Sequence, residues 1–125
     1  MSIDRHVFEN WASLRFFYAA VIDRWVDGDT VDVIISLGFN IYIEQRLRLY
    51  GINAPEVNRR NQRAAGLAAT QFCEELAPEG EDVMIRTIRD KTGKFGRYLA
   101  DVVTKDGTSV VDALVRAGHA ERVEY

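Results

Sequence analysis

Three consecutive short runs of period-two hydrophobicity, joined by turns that contain glycine, constrain this chain more than any other feature. Residues 16–26 are rich in aromatic and β-branched side chains and end at Asp27-Gly28, a pair that marks a hairpin when it lies between two apolar runs. Residues 30–37 then set Val31, Val33, Ile35 and Leu37 on one face and Thr30, Asp32, Ile34 and Ser36 on the other. Gly38 turns the chain into a third run, residues 41–50, in which Arg46, Arg48 and Tyr50 share a face. Sequential strands of this kind form an antiparallel meander with one buried side. The third run breaks at Gly51, and Asn53 and Pro55 make the continuation a loop. Pro55 fixes its own φ and keeps Ala54 out of the helical region, so the turn is stiff and Glu56 is held at a set place beyond Arg48.

The rest of the chain completes a small barrel. Residues 61–76 read as a helix whose inner stripe is Ala65, Ala68, Phe72 and Leu76, stopped by Pro78 and Gly80. Gly66 inside it costs about 1 kcal/mol relative to alanine, so a strand or helix is expected to pass close to it. Residues 83–88 and 95–103 read as a fourth and a fifth strand around the polar loop 90–94. Ser109 or Thr108 caps a last helix that turns Val111, Leu114 and Val115 inward, and Gly118 ends it. At the other end Ile3, Val7, Trp11 and Leu14, spaced by four, four and three, predict a helix over 1–15 that packs on the domain or on a second copy. Five short strands with a helix between the third and fourth define an α+β fold, a five-stranded Greek-key barrel of the oligonucleotide-binding type (OB-fold) with packed helices. The expected organisation is an N-terminal helical extension, 1–15, and one barrel domain, 16–125.

Charge distribution says more than net charge. The sum is −3, which by itself disfavours a polyanionic partner. Yet segments 46–63 and 86–97 together hold ten Lys or Arg against two acids, Glu56 and Asp90, leaving six basic and seventeen acidic residues elsewhere. If the two segments meet in space, an acidic protein carries one positive face, the footprint of a phosphate site. With one cysteine no internal disulfide is possible, and Cys73 reads as a small buried apolar side chain. There is no basic start leading into an apolar stretch of signal length, and no apolar run near the roughly 20 residues of a membrane span. The expectation is a cytoplasmic protein with no membrane partner, either a monomer or a weak homodimer.

Three short segments then fall into one order: Asp27-Gly28-Asp29-Thr30-Val31, the stretch from Arg48 to Glu56, and Phe95-Gly96-Arg97. With the Ala113-Leu114-Val115-Arg116-Ala117-Gly118 stretch of the last helix, they make the sequence resemble the staphylococcal nuclease-like (thermonuclease) family from about Val21 onward. The resemblance implies calcium-assisted hydrolysis of phosphodiesters in single-stranded DNA or RNA, with magnesium or manganese as other possible ions. Carried over by position, Asp29 is a metal ligand, with Asn53 and the backbone carbonyl of Ala54 beside it. Arg48 and Arg97 clamp the scissile phosphate, and Glu56 aligns or deprotonates the attacking water. Lys94, Phe95 and Tyr125 fall where the family contacts the nucleotide. These residue types suit the chemistry: a hard cation takes carboxylate oxygen, guanidinium forks bind phosphate without losing their protons, and a carboxylate can accept a proton from water.

The departures from the family are specific. Asn53 stands where the best-known members carry a second metal-binding aspartate, and Ala54 replaces a threonine, so metal affinity is expected to be lower; Asp32 is a nearby carboxylate that could compensate. Phe95 replaces a tyrosine and loses a hydroxyl. The family's C-terminal helix has no counterpart here, and the 1–15 helix is expected to cover the surface it would bury. The alternative is a non-catalytic nucleic-acid or protein-binding module on the same barrel.

Overall fold

The computed structural model describes residues 17–88 and 98–123. Seven strands and two helices follow in order: β1 (Phe17–Asp27), β2 (Thr30–Ser36), β3 (Tyr42–Leu49), β4 (Ile52–Asn53), α1 (Arg63–Leu76), β5 (Asp82–Ile88), β6 (Tyr98–Val103), α2 (Val110–Arg116) and β7 (Glu121–Arg122). Five strands close a barrel in the order β1-β2-β3-β6-β5, with β5 returning to β1; the β3–β6 pair is parallel and the other neighbours are antiparallel. The expected five-stranded barrel with packed helices is therefore present. The expected helix over 1–15 lies outside the described residues. Two register shifts in β1, between Ile22 and Arg24 and between Trp25 and Asp27, bend it so that it can pair with β2 on one side and β5 on the other.

Alternation places the core. Val31, Val33 and Ile35 of β2 and Leu47 and Leu49 of β3 point inward with Ile22, Ile85 and Val102, while Leu37, beyond the end of β2, is exposed. Val110, Val111 and Leu114 of α2 close the barrel's base, and Ser109 caps that helix by accepting the Asp112 backbone N–H at 3.2 Å. A small sheet, β4 with β7, was not foreseen from the sequence, where residues 119–125 carry no strand pattern. Two residues per strand are too few for periodicity to be seen.

The inner face of α1 differs from the expected stripe. Gly66, Ala69, Thr70 and Cys73 are buried, whereas Ala65 and Ala68 face solvent and Phe72 and Leu76 flank the core half-buried. The helix has turned by about one residue, roughly 100°, because its smallest side chains allow the closest approach to the β1–β2 turn. A Cβ built on Gly28 would lie 2.7 Å from the Ala69 Cβ. Gly28 does not adopt a left-handed conformation, so space and not φ requires glycine there. Gly66 likewise sits against the backbone of Glu56 and Val57; what passes close is a loop, not the expected strand or helix.

Cys73 lies at the centre of this contact, fully buried, with its thiol directed at the Gly28 carbonyl 3.6 Å away. Burial first, then the charges of Asp29 and Glu74, push its pKa up to about 12. A raised acid pKa means that the fold favours the neutral thiol. That stabilisation is complete below the unfolded-chain value near ~8.5 and disappears as pH rises through about 12. At pH 8 a thiol reagent is expected to label Cys73 only as fast as the protein opens, with labelling becoming rapid in denaturant. Immediate labelling of the native protein would contradict the burial.

Candidate active site

The β1–β2 turn, the end of β3 and the loop that leads from β4 to α1 enclose a polar cavity of about 420 Å³. Its walls carry Asp27, Asp29, Arg48, Asn53, Ala54, Glu56, Arg59 and Gln62. Of the positions singled out in the sequence, Asp29, Arg48, Asn53, Ala54 and Glu56 are thus brought to one place. Lys94, Phe95, Arg97 and Tyr125 lie outside the described residues.

Asp29 is buried at 6 % exposure and is the hub of the cavity. Its Oδ1 accepts the Thr30 hydroxyl at 3.1 Å, and its Oδ2 accepts the Ala54 backbone N–H at 2.9 Å and lies 3.1 Å from an Arg48 guanidinium nitrogen. One carboxylate therefore ties the hairpin, the Asn-Ala-Pro-Glu loop and the strand-borne arginine together. Removing it would strip the nearly buried Arg48 cation of its carboxylate and the Ala54 N–H of its acceptor, which costs several kcal/mol in comparable cases. Asp29 consequently has a structural role whatever chemistry it also serves.

Arg48 projects from β3 where Thr30 pairs with it across the ladder. Its NH1 donates to the carbonyls of Asp29 and Leu49, and its NH2 donates to the Ile52 carbonyl at 3.0 Å and to Asn53 Oδ1 at 2.5 Å. The guanidinium is pre-aimed by these contacts, so little side-chain entropy remains to be lost when it meets an anion. The Asn53 amide oxygen is committed to Arg48, and the contact that Ala54 makes with Asp29 is through its N–H.

Glu56 differs in kind: its side chain is half exposed and its one partner among the described residues is Arg59, which donates Nε–H to Oε2 at 3.0 Å. The loop beneath it is rigid, because the Glu56 N–H donates to Gln62 Oε1 at 3.2 Å and the Val57 N–H donates to Asp27 Oδ1 at 3.1 Å. Asp27 is thus a loop brace, in keeping with the structural role expected for the Asp27-Gly28 pair. Arg59 and Gln62 were not singled out as site residues; their spacing of three and six from Glu56 on a turn entering a helix was the available signal. Asp32, considered as a compensating carboxylate, is occupied elsewhere. It accepts both Nε–H and NH2 of Arg46 on the outer face of the barrel at 2.7 and 3.0 Å, and these hydrogen bonds hold its carboxyl below the usual carboxylate range.

Counting formal charges on the walls, three acids (Asp27, Asp29, Glu56) stand against two arginines (Arg48, Arg59), a sum of −1. Such a cavity attracts a cation before it attracts a phosphate. The donor atoms are all oxygen, which fits a hard divalent ion and no thiolate- or imidazole-preferring metal. Asp29 has accepted three contacts of the roughly four its lone pairs allow, so one direction remains open to such an ion. Among the described residues no group of three or more His, Cys, Asp or Glu is placed to hold a metal, so any cation here relies on neutral oxygens and solvent for the rest of its shell.

Comparison with known proteins points the same way. The family model described as "Staphylococcal nuclease homologue" matches residues 46–125, nearly two thirds of the chain and the part that carries Arg48, Asn53, Ala54 and Glu56. "Endonuclease YhcR" of Bacillus subtilis (strain 168) is 27% identical over 110 residues, covering 82% of this chain. The chain spans only 9% of that relative's length. Among the described residues, no helix is long and apolar enough to cross a membrane.

Proposed function

Since the chain belongs to the family of staphylococcal nuclease homologues, we propose that it is a divalent-metal-dependent nuclease, hydrolysing phosphodiester bonds of DNA or RNA strands in the cavity around Asp29. The observation that carries this reading is the contrast between two charged side chains in one cavity. Arg48 is immobilised by four acceptors and an ion pair, as a phosphate clamp needs; Glu56 stands free of the core on a braced loop, as a base that must meet water needs.

In this reading Arg48 NH2 exchanges its Ile52 and Asn53 acceptors for the non-bridging oxygens of the scissile phosphate, stabilising the charge that develops on them and releasing the Asn53 amide oxygen, while NH1 stays held by Asp29 and Leu49. Glu56 accepts the proton of the attacking water, exchanging its Arg59 contact for it. Arg97, assigned from the resemblance, supplies a second guanidinium; Lys94, Phe95 and Tyr125 contact the nucleotide. Asp29, the amide oxygen of Asn53 and the carbonyl of Ala54 are the ligands assigned to the cation, which when bound offsets the negative sum of the walls and neutralises phosphate charge. Calcium is the ion expected, and single-stranded chains are the substrate expected.

Purified protein in millimolar calcium should degrade single-stranded DNA and RNA, and a chelator should stop it. Asn53→Asp exchanges a neutral ligand for a charged one and should lower the calcium concentration at half-maximal rate, by about tenfold if it contributes one good ligand. An unchanged requirement would remove Asn53 from the site. A second reading, a binding module without catalysis, draws on the same residue: Arg48 and Asn53 satisfy each other, and two of the three wall carboxylates, Asp27 and Glu56, are engaged by the Val57 N–H and by Arg59. Chelator-insensitive strand binding with no cleavage under calcium, magnesium or manganese would decide for that module.

A further inference from the structure

The positive segment 46–63 is largely neutralised in the fold, which makes its two exceptions informative. Arg46 is bound to Asp32, Arg48 to Asp29 and Arg59 to Glu56. Arg60 and Arg63 are exposed and have no carboxylate or other partner among the described residues. Each directly follows a residue of the cavity wall, Arg59 and Gln62 respectively. Consecutive Cα atoms are about 3.8 Å apart, so the backbone of both residues runs along the cavity rim beside Arg59 and Gln62.

Their footing is stiff. The Gln62 N–H donates to the Arg59 carbonyl at 2.9 Å, the Gly66 N–H to the Gln62 carbonyl at 2.7 Å, and the Gln62 side chain holds the Glu56 backbone. Two exposed cations on this braced turn have no carboxylate partner among the described residues, although the chain as a whole is acidic. A polyanion running out of the cavity would find uncompensated positive charge along this turn.

We propose that Arg60 and Arg63 form a track for the phosphates flanking the scissile one, so that this site, read as a nuclease centre, prefers chains of several nucleotides to a minimal phosphodiester. They are positioning residues and touch no reacting atom.

The test compares two substrates in the full chain: a single-stranded oligonucleotide of about 20 nucleotides, and a small chromogenic nitrophenyl phosphodiester. In the double variant Arg60→Gln with Arg63→Gln, kcat/KM on the oligonucleotide should fall about tenfold or more at low salt, and the slope of log(kcat/KM) against log(salt) should flatten by about 1.4, near 0.7 per phosphate contact on a single strand. On the small diester kcat/KM should not change, and Arg60→Lys with Arg63→Lys should restore most of the loss. An equal fall on both substrates, or none on either, overturns the track. If the wild-type chain cleaves neither substrate, the nuclease reading fails separately; the track is then judged by anisotropy of a labelled oligonucleotide, where the double variant must show the same flattened salt slope.

Discussion

Glu56→Gln is expected to lower kcat on single-stranded DNA by two to four orders of magnitude, the usual worth of a positioned general base, while KM and the melting temperature hardly move. The fold has little stake in this carboxylate: it is half exposed, and its partner among the described residues is Arg59, a surface pair worth at most about 1 kcal/mol. Glutamine keeps the shape and can still accept a hydrogen bond from Arg59. What it lacks is basicity toward water. A Glu56→Gln protein that retains full turnover would remove this residue from the chemistry and return weight to the binding-module reading. Arg59→Ala is the matching control, since freeing Glu56 from its pair should leave cleavage largely intact.

Gly66→Ala should destabilise the protein and impair cleavage together, although no atom of residue 66 is placed in the cavity. An alanine Cβ would stand 2.8 Å from the Glu56 carbonyl carbon and from the Val57 nitrogen, and 2.9 Å from the Glu56 carbonyl oxygen. All three are backbone atoms, so the loop itself must move. Alanine brings back about 1 kcal/mol of helix propensity, but overpacking of this kind typically costs about 1–3 kcal/mol and here displaces the residue on which catalysis is proposed to depend. A net loss of up to about 2 kcal/mol in urea unfolding is expected, with a fall in kcat/KM of about tenfold or more, since displacements of about an ångström near a reacting group have that consequence. Gly66→Val should be worse on both counts. A stabilised Gly66→Ala would show that the loop yields easily and that Glu56 is not rigidly positioned.

Much of the barrel was legible because its determinants are local. Val31, Val33 and Ile35 alternate with Thr30, Asp32, Ile34 and Ser36, and Leu47 and Leu49 alternate with Arg46 and Arg48, so faces could be assigned without knowing the partners. The helix over Arg63–Leu76 was also legible as a helix, but its buried face was not. Large apolar residues usually mark the inner stripe, and here the hairpin at Gly28 and the loop at Glu56–Val57 come so close that the small Gly66, Ala69, Thr70 and Cys73 form the buried face instead. The β4–β7 pair was invisible for a different reason: it depends on residues 52–53 and 121–122 meeting across most of the chain.

For the site, the sequence determined the inventory: a strand-borne Arg48, a hairpin Asp29, a stiff loop ending in Glu56, and a positive segment in an acidic chain. It could do so because residue type, turn chemistry and strand period act within a few neighbours. Only the tertiary structure decided how those charges are spent. It set Asp29 as the brace of Arg48 and Ala54, sent Asp32 outward to Arg46, committed Asn53 to Arg48, and left Arg60 and Arg63 without a partner among the described residues. Pairing is a contest among all charges within a few ångströms, and which charges come that near is settled by the closing of the barrel and the fit of the helix against its first hairpin.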